Sequence, residues 1–135
     1  MNAHIISIHD ITQKVMLVKL TYTYHNGMSE FDLYEAVRGV WKASYDRASE
    51  VDYVFGIHEQ TIVAVFKPDE WHYVRENIDI PRPHEIFGEV FEQKRDRIYF
   101  ICNDHKQKDA QQISYLNKYI CDLKSSQNPI TYING

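Results

Sequence analysis

The sequence predicts a small α+β fold, a mixed β-barrel with two main helices in a single domain spanning residues 1–135. Three observations predict it. Val15 to Tyr24 alternates with period two, a helix signal over Glu30 to Arg38 runs into Gly39-Val40-Trp41-Lys42, and two β-branched, aromatic runs follow closely upon each other. This order sets a tryptophan at the mouth of the barrel.

In the first strand, Met16, Val18, Leu20, Tyr22 and Tyr24 fall on one face and Lys19, Thr21 and Thr23 on the other, as in a half-buried strand. His25-Asn26-Gly27 breaks the pattern as a turn. Ser29 and Asp32 then form a capping pair, because the serine oxygen takes a free backbone N–H and the acid suits the positive end of the helix. The helix runs from Glu30 to Arg38, buries Leu33, Ala36 and Val37, and stops at Gly39, which tolerates positive φ.

Val40 to Ala43 reads as a short strand, and Ser44 caps a further turn of helix over Tyr45 to Glu50. Val51 to Ile57 and Thr61 to Lys67 form a hairpin around His58-Glu59-Gln60, which lacks the usual Asn-Gly, and Pro68 ends it. Ile78 to Glu85, with Pro81 and Pro83, is an extended surface loop placed to cover a site. Glu85 to Gln93 and Arg97 to Asn103 read as strands about the charged turn Lys94-Arg95-Asp96. Ile113, Leu116, Ile120 and Leu123 have helical spacing and predict a second long helix over Asp109 to Lys124, before a closing strand at Pro129 to Ile133.

Composition bounds the function. The chain has 44% hydrophobic and 25% charged residues and no run of 18 apolar ones, and its first residues lack a basic, apolar secretory pattern; a cytoplasmic, non-membrane protein is expected. Cys102 and Cys121 are too few for a disulfide framework and are expected to be free and buried. A net charge of -4 argues against a coat for duplex nucleic acid, whose affinity comes from many cations on phosphates. Eighteen aromatic rings (ten Tyr, six Phe, two Trp) suit both β-rich packing and stacking on a flat ligand.

Arg38-Gly39-Val40-Trp41-Lys42-Ala43-Ser44, followed by Tyr53-Val54-Phe55-Gly56-Ile57, resembles the PUA-like superfamily, in particular its YTH and EVE branches, over about half the chain. The resemblance implies a non-enzymatic reader of modified bases in RNA or DNA, with Trp41 as a wall of an aromatic cage. A weaker similarity, carried by Arg-Gly-x-Trp, Tyr115 to Lys118 and Asn128-Pro129, points to uncharacterised prokaryotic and phage proteins.

The residues around Trp41 carry the chemistry expected of such a pocket. Trp41 stacks a base, Tyr45 or Trp71 closes its other face, Ser44 reads the base edge, and Arg38 with Lys42 balances phosphate charge. The ligand is then a nucleotide or a base in a single strand or flipped from a stack. The alternative for Trp41 is packing inside the barrel with Arg38 and Lys42 merely solvated; for Trp71 it is capping the core after Pro68. Lys94-Arg95-Asp96-Arg97 is a solvated hairpin tip, or a phosphate track if it lies near the pocket.

Other chemistries have weaker patterns. Seven histidines (4, 9, 25, 58, 72, 84 and 105) form no His-x-x-x-His pair on a helix, and Cys102-Asn103-Asp104-His105 has no second half, so no metal or other cofactor is expected. There is no Gly-rich phosphate loop. The runner-up function is a phage or prokaryotic interaction protein that blocks or sequesters a host component through its aromatic, acidic surface.

Overall fold

The computed structural model describes the chain apart from residues 1–3, 22, 87–90 and 125–126 and the side chains of residues 84 and 86. It is a mixed α+β fold. A six-stranded sheet curls into half a barrel in the order β1 (Ile5–Ile6), β8 (Tyr119–Ile120), β5 (Thr61–Phe66), β4 (Tyr53–His58), β2 (Val15–Lys19), β9 (Ile130–Ile133). A three-stranded sheet holds β3 (Gly39–Trp41), β7 (Ile98–Ile101) and β6 (Glu70–Tyr73).

The first strand is shorter than its alternation suggests, and it is buried on both faces. β2 lies between β4, to which it runs parallel, and the antiparallel β9. Met16, Val18 and Leu20 pack into one core and Val15 and Leu17 into another. The half-buried strand expected of Val15 to Tyr24 is therefore corrected: from Val15 to Val18 a central strand covered on both sides takes apolar residues at successive positions, and Lys19 at its end is half-buried. Tyr22 lies outside the described residues.

Helix α1 (Glu30–Val37) forms as its caps dictate, with the Asp32 backbone N–H donating to Ser29 Oγ at 3.1 Å. Leu33, Tyr34, Ala36 and Val37 pack onto the six-stranded sheet. Gly56 permits that approach, since a Cβ there would lie 2.9 Å from Val37 Cγ2. Gly39 has φ +151, and a Cβ on it would come within 2.4 Å of Tyr99 Cβ across the β3–β7 pair. Close strand contact as well as helix termination thus requires glycine at 39.

The β4–β5 hairpin closes on Glu59 and Gln60 at φ 49 and 66. Two residues at positive φ match the twist of a hairpin, which Asn-Gly usually supplies. Here Gln60 is held by β8: its side chain donates to the Ile120 carbonyl at 2.9 Å and its own carbonyl accepts from Ile120 N–H at 2.8 Å.

Two expected elements are corrected. The strand over Glu85 to Gln93 is replaced, in its described residues, by helical turns α3 (Pro83–Ile86) and α4 (Phe91–Lys94). β7 finds its partners in β3 and in β6, a strand that the sequence did not reveal. The long helix over Asp109 to Lys124 stops after α5 (Ala110–Tyr115). Asn117 turns left-handed at φ 65, and Asn117 and Lys118 exchange backbone hydrogen bonds with Ile62 at 2.8 and 2.9 Å. Sheet pairing overrides the helical periodicity, and Ile113 is left 59% exposed.

Candidate functional site

Trp41 ends β3 half-buried, with its indole N–H donating 2.8 Å to the Val37 carbonyl, one of the acceptors that α1 leaves open at its C-terminus. This fixes the ring on the wall of an open groove of about 730 Å³. The near wall is the outer face of α1 and the turn before it, contributing Met28, Phe31 and Asp32. Phe31 is 58% exposed.

The far wall comes from Arg82, Pro83 and Glu85; the extended surface loop expected over Ile78 to Glu85 is corrected, since Ile80 is buried and α3 begins at Pro83. Arg82 pins this wall. Its guanidinium donates to the Glu35 and Gly39 carbonyls, its Nε to Glu85 at 2.9 Å, and its backbone N–H to the Glu35 carboxylate at 3.1 Å. Lys94, at the end of α4 rather than on the hairpin tip expected of it, also lines the groove.

The other residues expected beside Trp41 are dispersed. Arg38 is 3% exposed and holds Glu35 through Nε at 2.5 Å and the Asp79 carbonyl at 2.9 Å, with its guanidinium near the Tyr34 ring. It is a strut behind the groove, consumed by buried acceptors, rather than a cation at the mouth. Lys42 and Ser44 line a separate cleft of about 430 Å³ with Arg47, Thr131 and Tyr132. Ser44 Oγ caps α2 (Tyr45–Ala48) by accepting from Arg47 N–H at 3.3 Å.

Tyr45 and Trp71 meet each other and do not line the groove. The Tyr45 hydroxyl donates to the Trp71 carbonyl at 3.2 Å while its ring stacks on Tyr73 at 5.1 Å. Trp71 is 8% exposed, and its indole packs 5.2 Å from the Phe100 ring. The core-capping alternative describes Trp71, and no second tryptophan faces the groove. Sequence reasoning missed Phe31 and Met28. The signal was available, since Phe31 falls out of phase with the Leu33, Ala36 and Val37 stripe and so had to project from the packed face.

Histidine and cysteine chemistry is distributed as well. No cluster of three or more His, Cys, Asp or Glu suited to a metal occurs among the described residues. His105 stacks on Tyr34 at 4.2 Å and 8°. Burial pushes the half-buried Cys102 thiol up, while Cys121 is exposed, which corrects the expectation that both are buried. His72 is clasped between Glu70 at 2.9 Å and Glu76 at 3.2 Å. Burial works against its imidazolium, but the two carboxylates more than offset it and raise its pKa.

No family model matches the chain, and neither curated proteins nor solved structures contain a match to it. No helix among the described residues is long and apolar enough to cross a membrane.

Proposed function

We propose that the protein is a non-enzymatic, PUA-like cytoplasmic module that binds a nucleotide or a modified base, single-stranded or flipped out, in the groove at Trp41. The observation that carries this reading is an open recess in which a tethered indole, an exposed phenyl ring and a lysine amine share one wall system. Trp41 offers the stacking face, Phe31 a second ring, and the Asp32 carboxylate an acceptor for base-edge N–H groups; Lys94 meets phosphate charge. The groove replaces Arg38 and Lys42 by Lys94 in that last role. Aromatic stacking on a base contributes on the order of 1–3 kcal/mol, enough to carry a weak, sequence-tolerant site in an acidic chain.

Calorimetric titration with nucleoside monophosphates and a single-stranded oligonucleotide tests the reading. Trp41→Ala and Phe31→Ala should each weaken binding roughly tenfold, in line with the loss of one stacking face. Phe31 is exposed, so its variant keeps the fold by circular dichroism. Affinity unchanged in both variants would remove the groove from consideration.

A protein partner is the second reading. Ile5 and Tyr119 are register partners on the outer β1–β8 pair and stand 48% and 39% exposed, an apolar pair at a sheet edge. A stoichiometric protein that co-purifies with the wild type and is lost with Ile5→Lys would favour it.

A further inference from the structure

The cleft that received Lys42 differs in kind from four other clefts among the described residues. Carboxylates stand in each of those: Glu85 in the Trp41 groove, Glu70 beside Trp71, Asp79 beside His105, and Glu59 at the hairpin turn. The cleft between α2 and β9 is lined by Lys42 and Arg47 with Ser44, Thr131 and other uncharged residues, and by no carboxylate. Against a net charge of -4, this is a local concentration of positive potential.

Its cations are arranged for an anion. Arg47 is pre-positioned, its guanidinium lying 4.0 Å from the Tyr132 ring centroid and donating at 3.1 Å to the Gly135 backbone oxygen. A guanidinium carries five N–H donors, so this one bond leaves the remainder of the fork for an oxygen-rich ligand. Lys42 is exposed and makes no hydrogen bond or ion pair with the described residues.

Trp41 and Lys42 are consecutive residues, about 3.8 Å apart at Cα, yet they line different cavities. The groove and the cleft therefore adjoin at the Trp41–Lys42 peptide. We propose that the cleft of Lys42 and Arg47 holds a phosphodiester of the strand whose base occupies the Trp41 groove. The inference rests on the groove reading and narrows its ligand from a free nucleotide to a single-stranded polynucleotide.

Binding of a labelled single-stranded RNA of about eight nucleotides, a typical footprint for one small domain, is measured by polarisation across a salt series. Lys42→Gln should weaken binding several-fold and reduce the slope of log K against log salt by about 0.7, the release expected from one single-strand phosphate contact. Lys106→Gln, a lysine that lines none of these cavities, should leave the slope as in wild type. An unchanged slope in Lys42→Gln, or no binding of the RNA by wild type, overturns the proposal.

Trp41→Ala separates the two ideas. Loss of the Lys42-dependent slope together with affinity supports both; a retained Lys42-dependent slope with unchanged affinity keeps the phosphate cleft and removes the groove. Amide shifts at Lys42 and Thr131 distinguish the source of the anion. Shifts produced by RNA but not by inorganic phosphate at the same phosphate concentration support the strand, whereas equal shifts show a free-phosphate site and overturn it.

Discussion

Arg38 Nε meets the Glu35 carboxylate at 2.5 Å, one helical turn apart on α1, with the two side chains only 3% and 13% exposed. The same carboxylate accepts from the backbone of Arg82, so one acidic residue fastens the helix to the segment that walls the groove. Removing one member of a buried pair strands the other charge.

Arg38→Met is therefore expected to cost about 3 kcal/mol of stability, the usual loss when a buried ion pair is broken from one side. Urea unfolding followed by circular dichroism measures it. A loss below about 1 kcal/mol, as for an exposed pair, would contradict the strut assigned to Arg38.

Gly39→Ala forces a Cβ to within 2.4 Å of Tyr99 Cβ at a backbone φ of +151. Strain and overpacking act together, and the variant should lose at least about 2 kcal/mol or fail to fold. Thermal unfolding tests this, with Gly27→Ala as the contrast: its φ is also positive, but nothing lies within 4 Å of the added carbon.

Glu59→Asn should stabilise the protein by about 0.5 kcal/mol, because asparagine accepts left-handed backbone more readily than glutamate in a two-residue hairpin turn. Glu59 gives up only a 3.9 Å approach to His58 at the surface. A decrease in the urea midpoint would count against the turn geometry described for Glu59 and Gln60.

His72 supplies a pH dependence. Its folded pKa is raised above 6.5 by Glu70 and Glu76 despite burial, so its contribution is fully present below that ordinary value and is lost as pH rises through the elevated one. Stability should fall from pH 6 toward pH 8 in wild type and fall less in His72→Gln. Parallel pH profiles for the two proteins, from urea midpoints, would remove the clasp from the explanation.

The two thiols should react at different rates with a disulfide reagent. Cys121 is exposed, while Cys102 is half-buried with its thiol held protonated by desolvation. One equivalent of thiol should be titrated quickly in native protein and the second only on unfolding; the Cys121→Ser variant should lose the fast phase.

What the sequence disclosed follows from how local each signal is. The capped helix at Ser29, the turn at Gly27 and the hairpin strands were legible, because caps, turn residues and β-branched runs act within a few positions. β6 was hidden, since Glu70-Trp71-His72-Tyr73 becomes a strand by pairing with Phe100 and its neighbours. The stretch after Tyr115 misled for the same reason: Asn117 and Lys118 are claimed by Ile62 on a distant strand.

Of the pocket residues expected from the sequence, Trp41 alone lines the groove. Trp41 does face a recess, but the partners nearest in sequence are turned elsewhere: Arg38 beneath the helix, Lys42 to another cleft, Tyr45 toward Trp71. Lys94 reaches the recess through tertiary structure, which adjacency along the chain does not encode, whereas Phe31 was marked by its place off the packed stripe of α1.

The position of β9 has a consequence for biosynthesis. β2 is made well before Ile130–Ile133, which cover its second edge. Until those residues leave the ribosome, Val15 to Val18 present an open, wholly apolar template for pairing with other nascent chains. Truncation before Ile130 should accordingly yield inclusion bodies rather than a slightly weakened protein, and this strand edge is where a chaperone would first be needed.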